Sequence, residues 1–422
     1  MNGRTPAPPG AFTAPADSPM RYVWRTGPGL LVLLFGLLAG LPGGELAGQE
    51  GAASAIGDRA ARIAASLDDS TLASQVIMSG VDGSSLLGAE MRRIFQDCPP
   101  GAVMLFRYNL NTPKDEVRRF IAQCVGAAGV PLAAAGPAPQ GPPGPALIPP
   151  LIAADHEGGQ VHRFGPGISR LPPAESWGKL AEKEGRAAAL AALEAAAYSS
   201  GKELRDLGLT LNLAPVAETL TDDNRPFLED RGFSGENDFT AAAAAAYIRG
   251  MERAGIGCVA KHFPGNSGID PHHAAPVLAG SREELAWTVQ PFADLIRGAS
   301  SGGPPVAGIM VSHVLVPAWD PDRIGSFSPV LINRWLRGDL GFQGLVLADD
   351  FSMTASASRL NPEEAAVLSL AAGADMVMAW PSGLRKLREV ILAALERGSL
   401  SRPRLEEAAA RIIAEKIRLG LL

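Results

Sequence analysis

Histidine is scarce in this chain, at six of 422 residues, and so is cysteine, at three. Cys98, Cys124 and Cys258 show no CxxC spacing and no paired histidine pattern, which argues against a structural zinc site. An odd count rules out a fully paired disulfide framework. A single Cys98–Cys124 bridge is open, but three buried free thiols are the expectation. Aromatics make up only 6 % of the residues, and the net charge of −6 leaves no basic footprint for nucleic acid. No apolar run reaches the roughly 20 residues of a membrane-spanning helix; the longest is LLVLLFGLLAGL, Leu30 to Leu41. Arg21 and Arg25 precede that run and small residues follow it, the pattern of a secretory signal, with an uncleaved membrane anchor as the alternative. Residues 1–54 are therefore expected to be a disordered, Pro/Ala-rich start plus an export segment, and residues 55–422 the working domain, exported to the periplasm or cell exterior.

What is abundant is alanine and glycine in a regular alternation. Eight short apolar runs read as strands: Val76–Gly80, Gly101–Phe106, Leu151–Asp155, Leu209–Pro215, Gly257–His262, Gly308–His313, Leu345–Asp350 and Ala374–Ala379. Between them lie helical segments such as 113–126, 181–208, 238–255 and 281–298, and two more, 385–398 and 404–420, close the chain. The Asp238 and Ser281 starts carry capping residues. Eight strands alternating with helices predict an α/β fold, a single (β/α)8 TIM-type barrel. An open doubly wound sheet is the alternative, but no glycine-rich dinucleotide fingerprint follows an early strand. The segment 131–150, rich in Pro, Gly and Ala, reads as a surface insertion.

Polar residues collect where strands end. The third strand runs into DHEGGQVHRF, the fourth is followed by DNRPFLEDRGFS, the fifth ends in KHFPG, the sixth in SH and the seventh in DD. In a barrel those ends share one mouth, where such folds place their chemistry. Half of all the histidines fall in KHFPGNSGIDPHHAAP, from Lys261 to Pro276. The carboxylates Asp155, Asp230, Asp270, Asp349 and Asp350, the cations Arg163, Arg231 and Lys261, and the histidines His262, His272 and His313 are too dispersed for a metal centre. They suit a hydroxyl-rich ligand such as a sugar. A retaining glycosidase needs an ionised carboxylate nucleophile and a proton donor. Asp349 or Asp350 could supply the first and the histidine loop the second, and strand alternation does not choose between the two aspartates.

KHFPG followed by D-x-H resembles the signature of glycoside hydrolase family 3, and more narrowly of its β-N-acetylglucosaminidases. DHEGGQVHRF, LEDRGFS, IMVSHVLVPAWDP and GLVLADDFSM are similar to further family motifs, in the family's order, from about residue 57 to the C-terminus. The resemblance implies a single-domain barrel that removes terminal, non-reducing β-linked N-acetylglucosamine, commonly from peptidoglycan fragments, so that the partner is a small carbohydrate or muropeptide. It implies no metal and no organic cofactor. By motif position Asp349 matches the nucleophile, His272 the acid/base and Asp270 its hydrogen-bonding partner. Asp155, Arg163, Arg231, Lys261 and His262 match residues that grip the sugar. A carboxylate beside an imidazole favours its protonated, donor form, and an ordinary imidazole pKa of about 6.5 lets it give and take a proton near neutrality. His273 is the alternative acid/base if the register shifts, and His313 is as readily structural as functional. Two departures stand out: Asn266-Ser267 where relatives usually read His-Gly, and a loop to Asp270 about two residues short. A phosphorylase using the same apparatus and a non-catalytic wall-binding protein are the alternatives.

Overall fold

In the computed structural model the described residues are 43–128, 148–269, 276–353 and 360–422. Asp270, His272 and His273 lie outside them, as do most of the 131–150 insertion and the apolar run Leu30–Leu41. No helix among the described residues is long and apolar enough to cross a membrane.

All eight expected strands form: β1 Ile77–Gly80, β2 Ala102–Leu105, β3 Leu151–Ala154, β4 Leu211–Asn212, β5 Gly257–Phe263, β6 Gly308–Val311, β7 Leu345–Ala348 and β8 Val377–Ala379. They pair in parallel in the order β7-β6-β5-β4-β3-β2-β1-β8. A parallel bridge between Leu347 and Met376, with Ala348 N–H donating to Met376 O at 3.1 Å, joins the two ends, so the sheet closes into a barrel. Every β1, β2, β3, β5, β6 and β7 residue is buried. Helices on the outer face and side chains in the barrel interior together account for that. Cys98, Cys124 and Cys258 are free, buried thiols.

Two helices are shorter than their periodicity suggests. The 181–208 segment breaks at Gly185, which adopts φ +91° between helices Ala174–Glu184 and Arg186–Leu207. Only glycine takes that conformation cheaply. The 281–298 segment breaks ahead of Pro291, which has no N–H to donate and therefore sits in the first turn of a new helix, Gln290–Ser300. Ser281 caps its helix as expected, in a reciprocal pair with Glu284. Asp238 does not cap: its helix has already begun one residue earlier, at Asn237, and the Asp238 carboxylate pairs with Arg186 instead.

Just beyond β3, His156 is fully buried, with Nε2 2.8 Å from Ser200 Oγ, and burial pushes its pKa down to about 3. The unfolded imidazole takes up a proton near pH 6.5, while the folded one stays neutral until near 3. Stability present above pH 6.5 is thus lost as pH falls. Between pH 6.5 and 5 this group should cost about 2 kcal/mol. Urea unfolding at the two pH values should show that loss, and His156→Gln, which keeps an atom near Ser200, should flatten it; an unchanged slope would exclude His156 as the source.

Candidate active site

The C-terminal ends of the strands surround a cavity of about 330 Å3. Its floor is soft and apolar, formed by Met78, Met104, Met310, Met376 and Met378 with Leu213 and Leu347. Unbranched thioethers fill an irregular barrel interior well and leave an apolar surface for the flat face of a ring. Its wall is charged. Asp155, Arg163, Arg231, Lys261, His262, Asp349 and Asp350 all line it. Of the eight residues that the family resemblance gives a role, the six that are described all line this cavity, and Asp270 and His272 lie outside the described residues. Asp230 points elsewhere, to a separate outer depression beside Gln160.

The EGG turn explains how the third strand contributes. Gly158 and Gly159 adopt φ of +105° and +53°, and a Cβ on Gly158 would lie 2.4 Å from Pro172 O. The chain reverses there, pairing His156–Gly158 with Val161–His162. That reversal returns Arg163 to the mouth beside Asp155, with Nη2 3.7 Å from Oδ2.

The same turn places a residue that sequence reasoning missed. Glu157 is buried and accepts from Arg231 Nε and Nη2, both at 2.8 Å, and from Lys261 Nζ at 2.7 Å. Lys261 Nζ also donates to Asp155 Oδ1 at 2.7 Å. Two cations and two carboxylates therefore interlock. Burial alone would raise the Glu157 pKa, but Lys261 and Arg231 hold it far below the carboxylate range. Burial likewise opposes the charge on Lys261, and Asp155 and Glu157 overcome it, so its pKa rises. Each charge is affordable inside the barrel because its neighbours satisfy it.

A second missed carboxylate, Glu218, lies beyond β4. Its Oε1 meets His262 Nδ1 at 2.7 Å and accepts from Asn266 Nδ2 at 2.9 Å, and its Oε2 accepts the Asn266 backbone N–H at 2.6 Å. Asn266 is thereby held against Glu218 and is not among the residues that line the cavity. With Nδ1 of His262 engaged, its Nε2 is the ring nitrogen left to face a ligand. The Lys261–His262 peptide bond is cis, and both side chains line the cavity. The signal for Glu157 was its place inside the EGG run. Glu218 carried none beyond following a strand.

Asp349 and Asp350 are separated by their surroundings. Both are partly open to the cavity. Burial would push the Asp349 carboxyl up, but His262, His313, the Asp350 amide and Lys261 hold it below its ordinary value. The Asp350 N–H donates to Asp349 Oδ1 at 2.8 Å, while Asp350 Oδ1 accepts the Ser352 N–H at 2.9 Å and so shapes the next turn. His313 is buried between Ser326 Oγ, 2.8 Å from Nδ1, and Asp350 O, 3.1 Å from Nε2. It braces the strand end that presents Asp349.

The family model for the glycosyl hydrolase family 3 N terminal domain matches residues 140–414. The chain belongs to glycosyl hydrolase family 3. Among relatives of this family 3 chain, a β-hexosaminidase of Methylococcus capsulatus is 38 % identical over 231 residues, 54 % of this chain and 66 % of that protein. A β-hexosaminidase of Stenotrophomonas maltophilia is 34 % identical over 307 residues, 72 % of this chain and 82 % of that one. The family 3 β-N-acetylglucosaminidase of Paenibacillus sp. superposes with a TM-score of 0.72 at 28 % identity, covering 84 % of this chain and 63 % of that one. NagZ of Neisseria gonorrhoeae, in complex with N-trifluoroacetyl-D-glucosamine, gives 0.66 at 26 % identity over 81 % and 89 %. The chain thus spans just under two thirds of the Methylococcus and Paenibacillus proteins. Its (β/α)8 barrel is that of the family 3 domain.

Proposed function

We propose that the chain is a retaining exo-β-N-acetylglucosaminidase. The observation that carries this reading is Asp349, a carboxylate held ionised at the mouth by His262, His313 and Lys261, above an apolar floor and beside the Asp155–Lys261–Glu157–Arg231 cluster. The names of the similar proteins support it. A terminal N-acetylglucosamine lies on the methionine floor. Asp155, Arg163, Arg231, Lys261 and His262 hold its hydroxyls and acetamido group. An Asp349 oxygen attacks the anomeric carbon, and the bond to the leaving oxygen breaks as His272, oriented by Asp270, gives that oxygen a proton. Water then attacks the glycosyl–Asp349 ester while the neutral His272 imidazole takes its proton, which releases the sugar with retained configuration. The substrate is a peptidoglycan fragment, consistent with residues 1–54 serving as an export segment or membrane anchor and residues 55–422 as the catalytic domain.

The test is turnover of nitrophenyl β-N-acetylglucosaminide by the full chain, with the anomer of the product followed by NMR, with and without phosphate. Release of β-configured N-acetylglucosamine in both buffers is expected. A sugar 1-phosphate as main product would make the chain a phosphorylase. Binding of N-acetylglucosamine without turnover would make it a wall-binding protein.

A further inference from the structure

The cavity does not end at Asp350. A second depression of about 180 Å3 opens beside it, and Asp350 and Met378 line both. One wall of the depression is Trp380, the residue directly after β8, which is 42 % exposed. Its ring stacks on Phe106 with centroids 5.0 Å apart and planes 6° apart, and Phe106 stacks in turn on Tyr108 at 5.7 Å and 17°. Phe106 belongs to the wall of the main cavity. With one face backed by Phe106, the indole is held rigidly and offers its remaining surface to the depression. A large exposed aromatic fixed in place beside a catalytic cavity marks a ligand contact rather than core packing.

Glu363 forms another wall, on the helix Pro362–Ala372. Its Oε1 pairs with Lys386 Nζ at 3.0 Å. Its Oε2 is buried and has no hydrogen-bond partner among the described residues. A buried carboxylate oxygen without a donor is rare and calls for one. Ser382 adds a hydroxyl to the same wall. An aromatic surface facing a hydrogen-bond acceptor is the arrangement that recognises a pyranose: the ring's C–H face lies on the indole and a hydroxyl donates to the carboxylate.

We propose that this depression is the leaving-group subsite, which takes the hydroxylated pyranose ring on the reducing side of the bond being cleaved, with Trp380 as its platform and the Glu363 carboxylate as its acceptor. The proposal rests on the reading of the main cavity as the site of the terminal N-acetylglucosamine. Trp380 and Glu363 therefore set specificity for the leaving group and take no part in the chemistry at the anomeric carbon.

The test compares two substrates on the full chain. Di-N-acetylchitobiose places a sugar ring in the depression, whereas N-acetyl-β-glucosaminyl fluoride has a leaving group too small to reach it. In Trp380→Ala the ratio of the two kcat/KM values should shift about tenfold against the disaccharide, the size of one lost aromatic contact. Trp380→Phe should recover most of that ratio, and Glu363→Ala, which leaves the aromatic stack intact, should shift it several-fold the same way. Circular dichroism of each variant excludes misfolding. A ratio unchanged in both alanine variants, with both substrates turned over by the wild type, would overturn the subsite and leave the main reading intact. A wild type inactive on both substrates would overturn both.

Discussion

Asp349→Asn should lower turnover of an aryl β-N-acetylglucosaminide by about 10,000-fold or more, with the fold and sugar binding retained. The amide keeps the size of the side chain and can still accept the Asp350 N–H that now reaches Oδ1 at 2.8 Å. What it loses is the negative charge and the nucleophilic oxygen. The same change at Asp350 should cost far less, because that carboxylate accepts the Ser352 N–H and shapes the next turn. The pH profile carries a second expectation. Since the Asp349 pKa is held below its ordinary 3.8, the nucleophile stays ionised across the whole acidic range above that value. The acidic limb of kcat/KM should therefore show no break between pH 7 and 4 that disappears with Asp349. Steady-state rates for both asparagine variants test this; equal losses would return the choice to Asp350.

Lys261→Met should destabilise the protein by about 3–5 kcal/mol, because it leaves buried carboxylates without their shared cation. The Lys261 side chain is 4 % exposed and its Nζ lies 2.7 Å from both Asp155 Oδ1 and Glu157 Oε1. Glu157 would keep Arg231, but Asp155 would keep only Arg163 at 3.7 Å. Arg163→Met makes the contrast. That side chain is 35 % exposed and its contact is long, so its loss should cost under about 1 kcal/mol. Urea denaturation at pH 7 distinguishes the two. Similar destabilisation by both would mean that burial of the network does not govern its contribution. Both variants should weaken N-acetylglucosamine binding, since both remove donors from the mouth.

Eight strands and their order were legible in the sequence because each carries its own signature, a short buried apolar run ending in charge. The lapses were local. Gly185 and Pro291 interrupt long helical periods that continue on either side of them, and hydrophobic periodicity does not register one backbone conformation or one missing N–H. Asp238 carries a capping side chain yet starts nothing, since the helix had already begun at Asn237 and Arg186 offered its carboxylate a partner.

The candidate site divides in the same way. Asp155, Arg163, Arg231, Lys261, His262 and Asp349 could be picked out as motif residues at strand ends, because a parallel barrel gathers those ends at one mouth whatever the lengths of the helices between them. Glu157 offered only its place in the EGG run and Glu218 nothing comparable, since a carboxylate in a sequence carries no sign of being buried against a cation or an imidazole. Motif resemblance favours Asp349 over Asp350, and what the fold adds is a different setting for each of two adjacent identical residues. Here that is His262, His313 and Lys261 on one side and a turn on the other. Local residue pattern by itself determined the strands, the barrel and the residues that meet at its mouth. Tertiary structure alone decided which of those charges are paired, which is left ionised beside the cavity, and that an aromatic wall extends the cavity past Asp350, because all three depend on distances between residues up to hundreds of positions apart.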